Sequence, residues 1–272
     1  FDPFVFNRLT DIAEVLGGTS GISGVIQDVV AVGGRDLGTV SAFQILGTTH
    51  PGDEDRPTSF EPPVTTLFDF ANSIKTIKTL DLVENVGVTT GSLGLFKPAS
   101  HVSGLDMRVA GQVKKIKIDG DFMDSSFLFI SGPNGNLKKF TVNGDMIGDV
   151  LVDGIVGTFD VGGDLTGDIT IRGTNSDATV LKKFKLGGTL MSGSLDVDGN
   201  VGTIDAAMGL GTTGDRLTIR GDAKSIKVGT SRSVAGSDMA LDLFVLGDLG
   251  AFQATGMVSG NIVVKGAAKR ID

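Results

Sequence analysis

A short motif returns along the C-terminal part of this chain at intervals of 19 to 26 residues, and a period of that size restricts the fold to stacked structural repeats. Its clearest copy reads Leu137-Lys-Lys-Phe-Thr-Val142, followed by Gly144-Asp-Met-Ile-Gly148 and Val150-Leu-Val152. The first position recurs at Val113, Leu137, Val156, Leu181, Val201, Ala223, Leu249 and Ala268, with a mean spacing near 22 residues.

Within each repeat two stretches alternate apolar and polar with the period of two that a strand imposes. One supplies Ile116/Ile118, Phe140/Val142, Phe159/Val161, Phe184/Leu186, Ile204/Ala206 and Ile226/Val228. The other supplies Phe127/Phe129, Val150/Val152, Ile169/Ile171, Leu195/Val197, Leu217/Ile219, Leu243/Val245 and Ile262/Val264. These pairs predict two opposed inner walls joined by Gly-Asp or Gly-Asn corners, where Gly tolerates positive φ and Asp bonds local backbone. Strands this short cannot bury an apolar side alone, so each coil must stack on the next at ~4.8 Å. Every coil travels the same circuit, which makes the pairing parallel. The expected fold is all-β: a parallel β-solenoid of ~22-residue coils. The irregular stretches 133–135, 175–178 and 232–238 fall between the walls, where loops can bulge outward.

A longer period overlies the coil. After the motif start come Lys138/Lys139, Gly157/Thr158, Lys182/Lys183, Gly202/Thr203, Lys224/Ser225, Gly250/Ala251 and Lys269/Arg270, so the duplicated unit is two coils. Repulsion between basic pairs on adjacent coils would account for the skipping. Between the apolar pairs, Asp160, Lys185, Asp205 and Lys227 predict an outward ladder of alternating charge.

The N-terminal hundred residues are less regular. Apolar residues at helical spacing over 4–16, stopped by Gly17-Gly18, predict a short helix capping the first coil, with residues 1–35 as cap region and 36–272 as solenoid. A Pro-rich stretch breaks the pattern and predicts an excursion loop over 48–66.

Composition narrows the function. Hydrophobic residues form 40% of the chain and all sixteen aromatics are Phe, so small branched side chains must fill most of the core. The net charge of −8 opposes broad binding to a phosphate backbone, which needs Lys and Arg to displace counterions. No Cys is present, which removes disulfides and thiolate metal sites. No apolar run approaches the ~20 residues of a membrane span. With only His50 and His101, and no G-x-S-x-G, Walker or H-E-x-x-H pattern, nucleophilic triads and zinc sites lack material. Gly17-Gly-Thr-Ser-Gly21 lacks the Lys of a phosphate loop and reads as a turn.

Asp121, Asp145 and Asp164 recur at successive corners and are candidate Ca²⁺ ligands, as is the acidic run Asp53, Glu54 and Asp55. Turn formation explains the same aspartates without metal. Arg220-Gly221-Asp222 spells an integrin-type tripeptide, but the equivalent corners read Asp198-Gly-Asn200 and Asn134-Gly-Asn136, so the corner accounts for it.

The run Val156-Gly-Thr-Phe-Asp-Val-Gly-Gly-Asp-Leu-Thr-Gly-Asp-Ile-Thr-Ile-Arg-Gly173 resembles the Gly-Asp-rich repeats of large bacterial surface proteins, in the style of filamentous-haemagglutinin and autotransporter-passenger solenoids. The resemblance covers residues 110–272 and carries no site residue. It implies a right-handed coil, export, and a role in adhesion, filaments or a surface layer. The expected partners are other copies of the chain stacked head to tail, other surface proteins, or glycans. The last motif start, Ala268, opens a coil without its second wall, which suggests either head-to-tail stacking or a piece of a longer solenoid. The alternative is a polysaccharide-active β-helix enzyme, a lyase or hydrolase, since such enzymes use coils of this size.

Overall fold

The computed structural model of the chain describes residues 25–27, 30–34, 36–42, 44–46, 66–132, 134–173, 178–211, 215–229 and 238–272. The helix expected over 4–16 and the acidic run Asp53, Glu54 and Asp55 lie outside the described residues. Strand pairing within them is parallel throughout, each strand resting on the equivalent strand of the coil before. The chain is a parallel β-solenoid of ~22-residue coils.

All eight motif starts stand in one column, seven of them in a ten-stranded sheet and the eighth, Ala268, bridged to Leu249 at its end. The column continues backward through Leu93, Ile74 and Leu37. In the strand Val113–Ile118 the buried Val113 is followed by two exposed lysines before the buried pair Ile116 and Ile118. Two outward residues in succession do not fit a flat pleat, so the strand bends there. Inside the bend the phenyl rings stack: Phe140 on Phe159 at 4.5 Å, and Phe159 on Phe184 at 5.8 Å, with interplanar angles of 25° and 26°. Phe122 meets Phe140 edge-on at 6.0 Å.

The second wall is an eleven-stranded sheet in which Val150/Val152, Ile169/Ile171, Leu195/Val197, Leu217/Ile219 and Leu243/Val245 align. Phe127 and Phe129 do not join them, contrary to expectation. The register sets Leu128 against Val150 and Ile130 against Val152, so Leu128 and Ile130 are buried and both rings face outward. Residues 127–130 are apolar at every position, and alternation has no phase to offer there. The phase comes from the neighbouring coils, Met107/Val109 on one side and Val150/Val152 on the other.

Three inward faces, not two, close the coil. Val83, Val102, Phe122, Met146, Leu165, Leu190, Leu210 and Met239 meet coil on coil through two-residue strands or single bridges, and all are buried. Each contributes a single apolar residue at a corner, too short a segment to display a period. At the N-terminal side, Val25–Gln27 pairs with Gln44–Leu46 and Val30–Gly33 with Thr66–Phe70, so the ladders reach into the segment assigned to the cap.

Candidate functional site

The structure brings Asp121, Asp145 and Asp164 into one column and gives each carboxylate a backbone partner on the next coil. The N–H of Asp145 donates to Asp121 Oδ1 at 2.8 Å, that of Asp164 to Asp145 Oδ1 at 2.8 Å, and that of Thr189 to Asp164 Oδ1 at 2.7 Å. A second column repeats the device: the N–H groups of Asp222, Asp248 and Ala267 donate to Asn200, Asp222 and Asp248 at 2.7, 2.7 and 2.8 Å. The glycine that each carboxylate meets on the next coil is equally determined. A Cβ at Gly144, Gly163 or Gly188 would overlap the carboxylate oxygen reaching up from the previous coil. The Gly-Asp dyad therefore has two halves, an acceptor aimed at the next coil and a vacancy for the acceptor arriving from the last. Among the described residues no three His, Cys, Asp or Glu converge as a metal site.

The tripeptide Arg220-Gly221-Asp222 is absorbed in the same way. Arg220 forks onto Asp196, with Nη2 at 3.0 Å from Oδ2 and Nη1 on Oδ1. Chiefly through that hydrogen bond, with the charges of Asp196 and Asp198 adding, the guanidinium pKa is held above its ordinary value. A Cβ at Gly221 would overlap Asn200 Oδ1, and Asp222 belongs to the second corner column. The charge ladder forms as expected, with Asp160, Lys185, Asp205 and Lys227 paired in register on one face.

Among the described residues, the segment after Phe122 departs from the periodic surface. Between Phe122 and Phe127 the coil is interrupted at Asp124 and Ser125, and Ser125 adopts a φ of 62°, a region that non-glycine residues seldom enter. This excursion walls a groove of ≈ 700 Å³ on the outer face of the eleven-stranded sheet, lined by Asp106, Arg108, Asp124, Phe127 and Asp149 among others. Arg108 holds Asp106 through Nε at 3.0 Å and Nη2 at 2.9 Å. Asp124 Oδ1 accepts the Ser125 N–H, and Asp149 Oδ1 the Asp168 N–H, both at 2.8 Å. The rings of Phe127 and Phe129 stack at 6.4 Å beside these charges. Eight described Phe side chains are buried, whereas the other three, Phe127, Phe129 and Phe244, share this outer face. Arg216 lies 4.5 Å over the Phe244 ring. An apolar floor with a few convergent polar groups is the usual composition of a ligand cleft. Residues 127–130 are apolar at every position and fit either phase, which hides the groove in the sequence. The interval from Val113 to Leu137, 24 residues, lies within the 19 to 26 of the other coils and gives no signal of it.

No protein-family model, curated protein or solved structure matches the chain. The class it defines rests on its own geometry: a parallel β-solenoid repeat protein whose corners are joined by side chain to backbone bonds.

Proposed function

We propose that this chain is a structural and adhesive solenoid module of the cell exterior. The observation that supports the reading best is the commitment of the corner Asp and Asn side chains to inter-coil bonds, from Asp121 to Asp164 and from Asn200 to Asp248. Acidic side chains that would equip a catalytic face here hold one coil on the next, leaving repetitive ladders outward. The discriminating experiment passes the purified chain over immobilised cell-wall polysaccharides and assays the eluate for new reducing ends. Retention without cleavage is expected, and cleavage would overturn the reading. Antibody against the chain should label intact cells of its source; labelling only after lysis would remove the exterior location.

The groove supports the alternative of a polysaccharide-active enzyme, because glycoside hydrolysis employs paired carboxylates and Asp106, Asp124 and Asp149 line it. Under that reading the wild-type chain releases product and the Asp106→Asn and Asp149→Asn variants do not.

A further inference from the structure

We infer that the bend of the ten-stranded sheet is a binding ridge for a linear acidic polysaccharide, an inference that rests on the adhesive reading and supplies its partner. The residue after the motif start is Lys75, Lys114, Lys138, Lys182, Lys224 and Lys269 on six coils of one column. All six are exposed, and none has an ion-pair partner among the described residues. Lys115, Lys139 and Lys183 stand next to three of them. In a chain of net charge −8, where aspartates abound, a line of exposed cations without carboxylates leaves a local positive stripe that attracts an anion from outside.

The intervening coils carry Gly94, Gly157, Gly202 and Gly250 at this position, each packed so closely on the carbonyl of the preceding lysine that a Cβ would overlap it. The lysines therefore flank gaps, except Lys114 and Lys138, which stand on adjacent coils. At one such gap a recess of ≈ 540 Å³ lies over Gly38 and Gly94, with Lys75 and Lys114 beside it and Ser92 and Gln112 offering neutral hydrogen-bonding groups. Asp36, the acidic residue of its lining, accepts from Ser73 Oγ at 2.6 Å. Lysines two coils apart are ~9.6 Å apart along the axis. A straight row of point charges on flexible stems, with hydroxyl-binding groups between, suits an extended sugar chain that repeats its carboxylates along a line. Nucleic acid fits less well. Single strands require aromatic platforms, and the three outward Phe rings among the described residues are on the other sheet.

The test measures binding of the full chain to polygalacturonate at about 50 and 200 mM salt, with neutral dextran and poly(dT) alongside. Polygalacturonate should bind and weaken as salt rises, and dextran should not bind. Replacing Lys75, Lys114 and Lys138 together by Gln should lower affinity at least tenfold and flatten the salt dependence, roughly by one unit of slope for each lysine replaced. The same three positions as Arg should retain binding, which separates charge from folding. A charge-matched variant elsewhere, Arg172→Gln with Arg216→Gln and Lys265→Gln, should bind as the wild type does. Absence of polygalacturonate binding at low salt, equal losses in the two Gln variants, or tighter binding of poly(dT) would overturn the ridge. New reducing ends produced by the wild type would instead remove the adhesive reading while leaving the ridge as a binding site.

Discussion

Where a coil turns a corner, its backbone N–H groups leave the direction of the ladder and need another acceptor. Asp145 answers this at one corner by accepting from Asp164 while its own N–H donates to Asp121. Asn supplies the same carbonyl acceptor, as Asn136 does for Ile155 at 2.8 Å. Asp145→Asn should therefore stay within ~0.5 kcal/mol of wild type in a urea titration, while Asp145→Ala should lose ~1 kcal/mol. Gly144→Ala places a methyl against Asp121 Oδ1 and should cost ~1–3 kcal/mol. Since Oδ1 of Asp121, Asp145 and Asp164 each accepts a backbone N–H from the next coil, a chelator should leave the melting temperature unchanged. A drop of several degrees on chelation would reassign Asp121, Asp145 and Asp164 as cation ligands.

At the scale of the strand, two phenylalanines on different sheets have opposite fates. Phe159 lies in a ring stack inside the bend, between Phe140 and Phe184, and Phe159→Ala should cost ~3–5 kcal/mol. Phe127 faces outward, and Phe127→Ser should cost under ~1 kcal/mol by the same titration, a contrast that checks the register directly. The outward ladder makes a separate prediction. K185D would set three carboxylates in consecutive register with Asp160 and Asp205, a loss of ~1 kcal/mol that shrinks as salt is added.

Across the whole molecule each coil touches little beyond its neighbours, so stability is approximately a sum over coils and interfaces. The two-coil unit then governs which deletions are tolerated. Removing residues 181–222 brings Ala223 onto Val156, Lys224 next to Gly157 and Lys227 next to Asp160, reproducing the native alternation. Removing 181–200 instead brings Asp205 against Asp160. Both variants should keep the β-sheet circular dichroism per residue, but the melting temperature of the one-coil deletion alone should rise with salt. The alternation itself has one dislocation, because Lys114-Lys115 and Lys138-Lys139 occupy adjacent coils. Charge repulsion alone does not explain that arrangement. The closer cause of the glycines is steric, since those at the alternating position meet a lysine carbonyl from the coil beneath.

The repeat and the period of two were enough to place every motif start from Val113 to Ala268, most of the two long inward columns and the outward ladder of Asp160, Lys185, Asp205 and Lys227. Apolar and polar residues alternate cleanly there, and each coil aligns the next. Tertiary structure decided what has no local contrast. The phase of residues 127–130 came from ladder pairing, because four apolar positions in a row fit either phase. The column of Phe122, Met146 and Leu165 emerged only on stacking, because one residue per coil has no period. The corner bonds join residues 19 to 26 positions apart and depend on how closely two turns approach, a distance set when coil packs on coil.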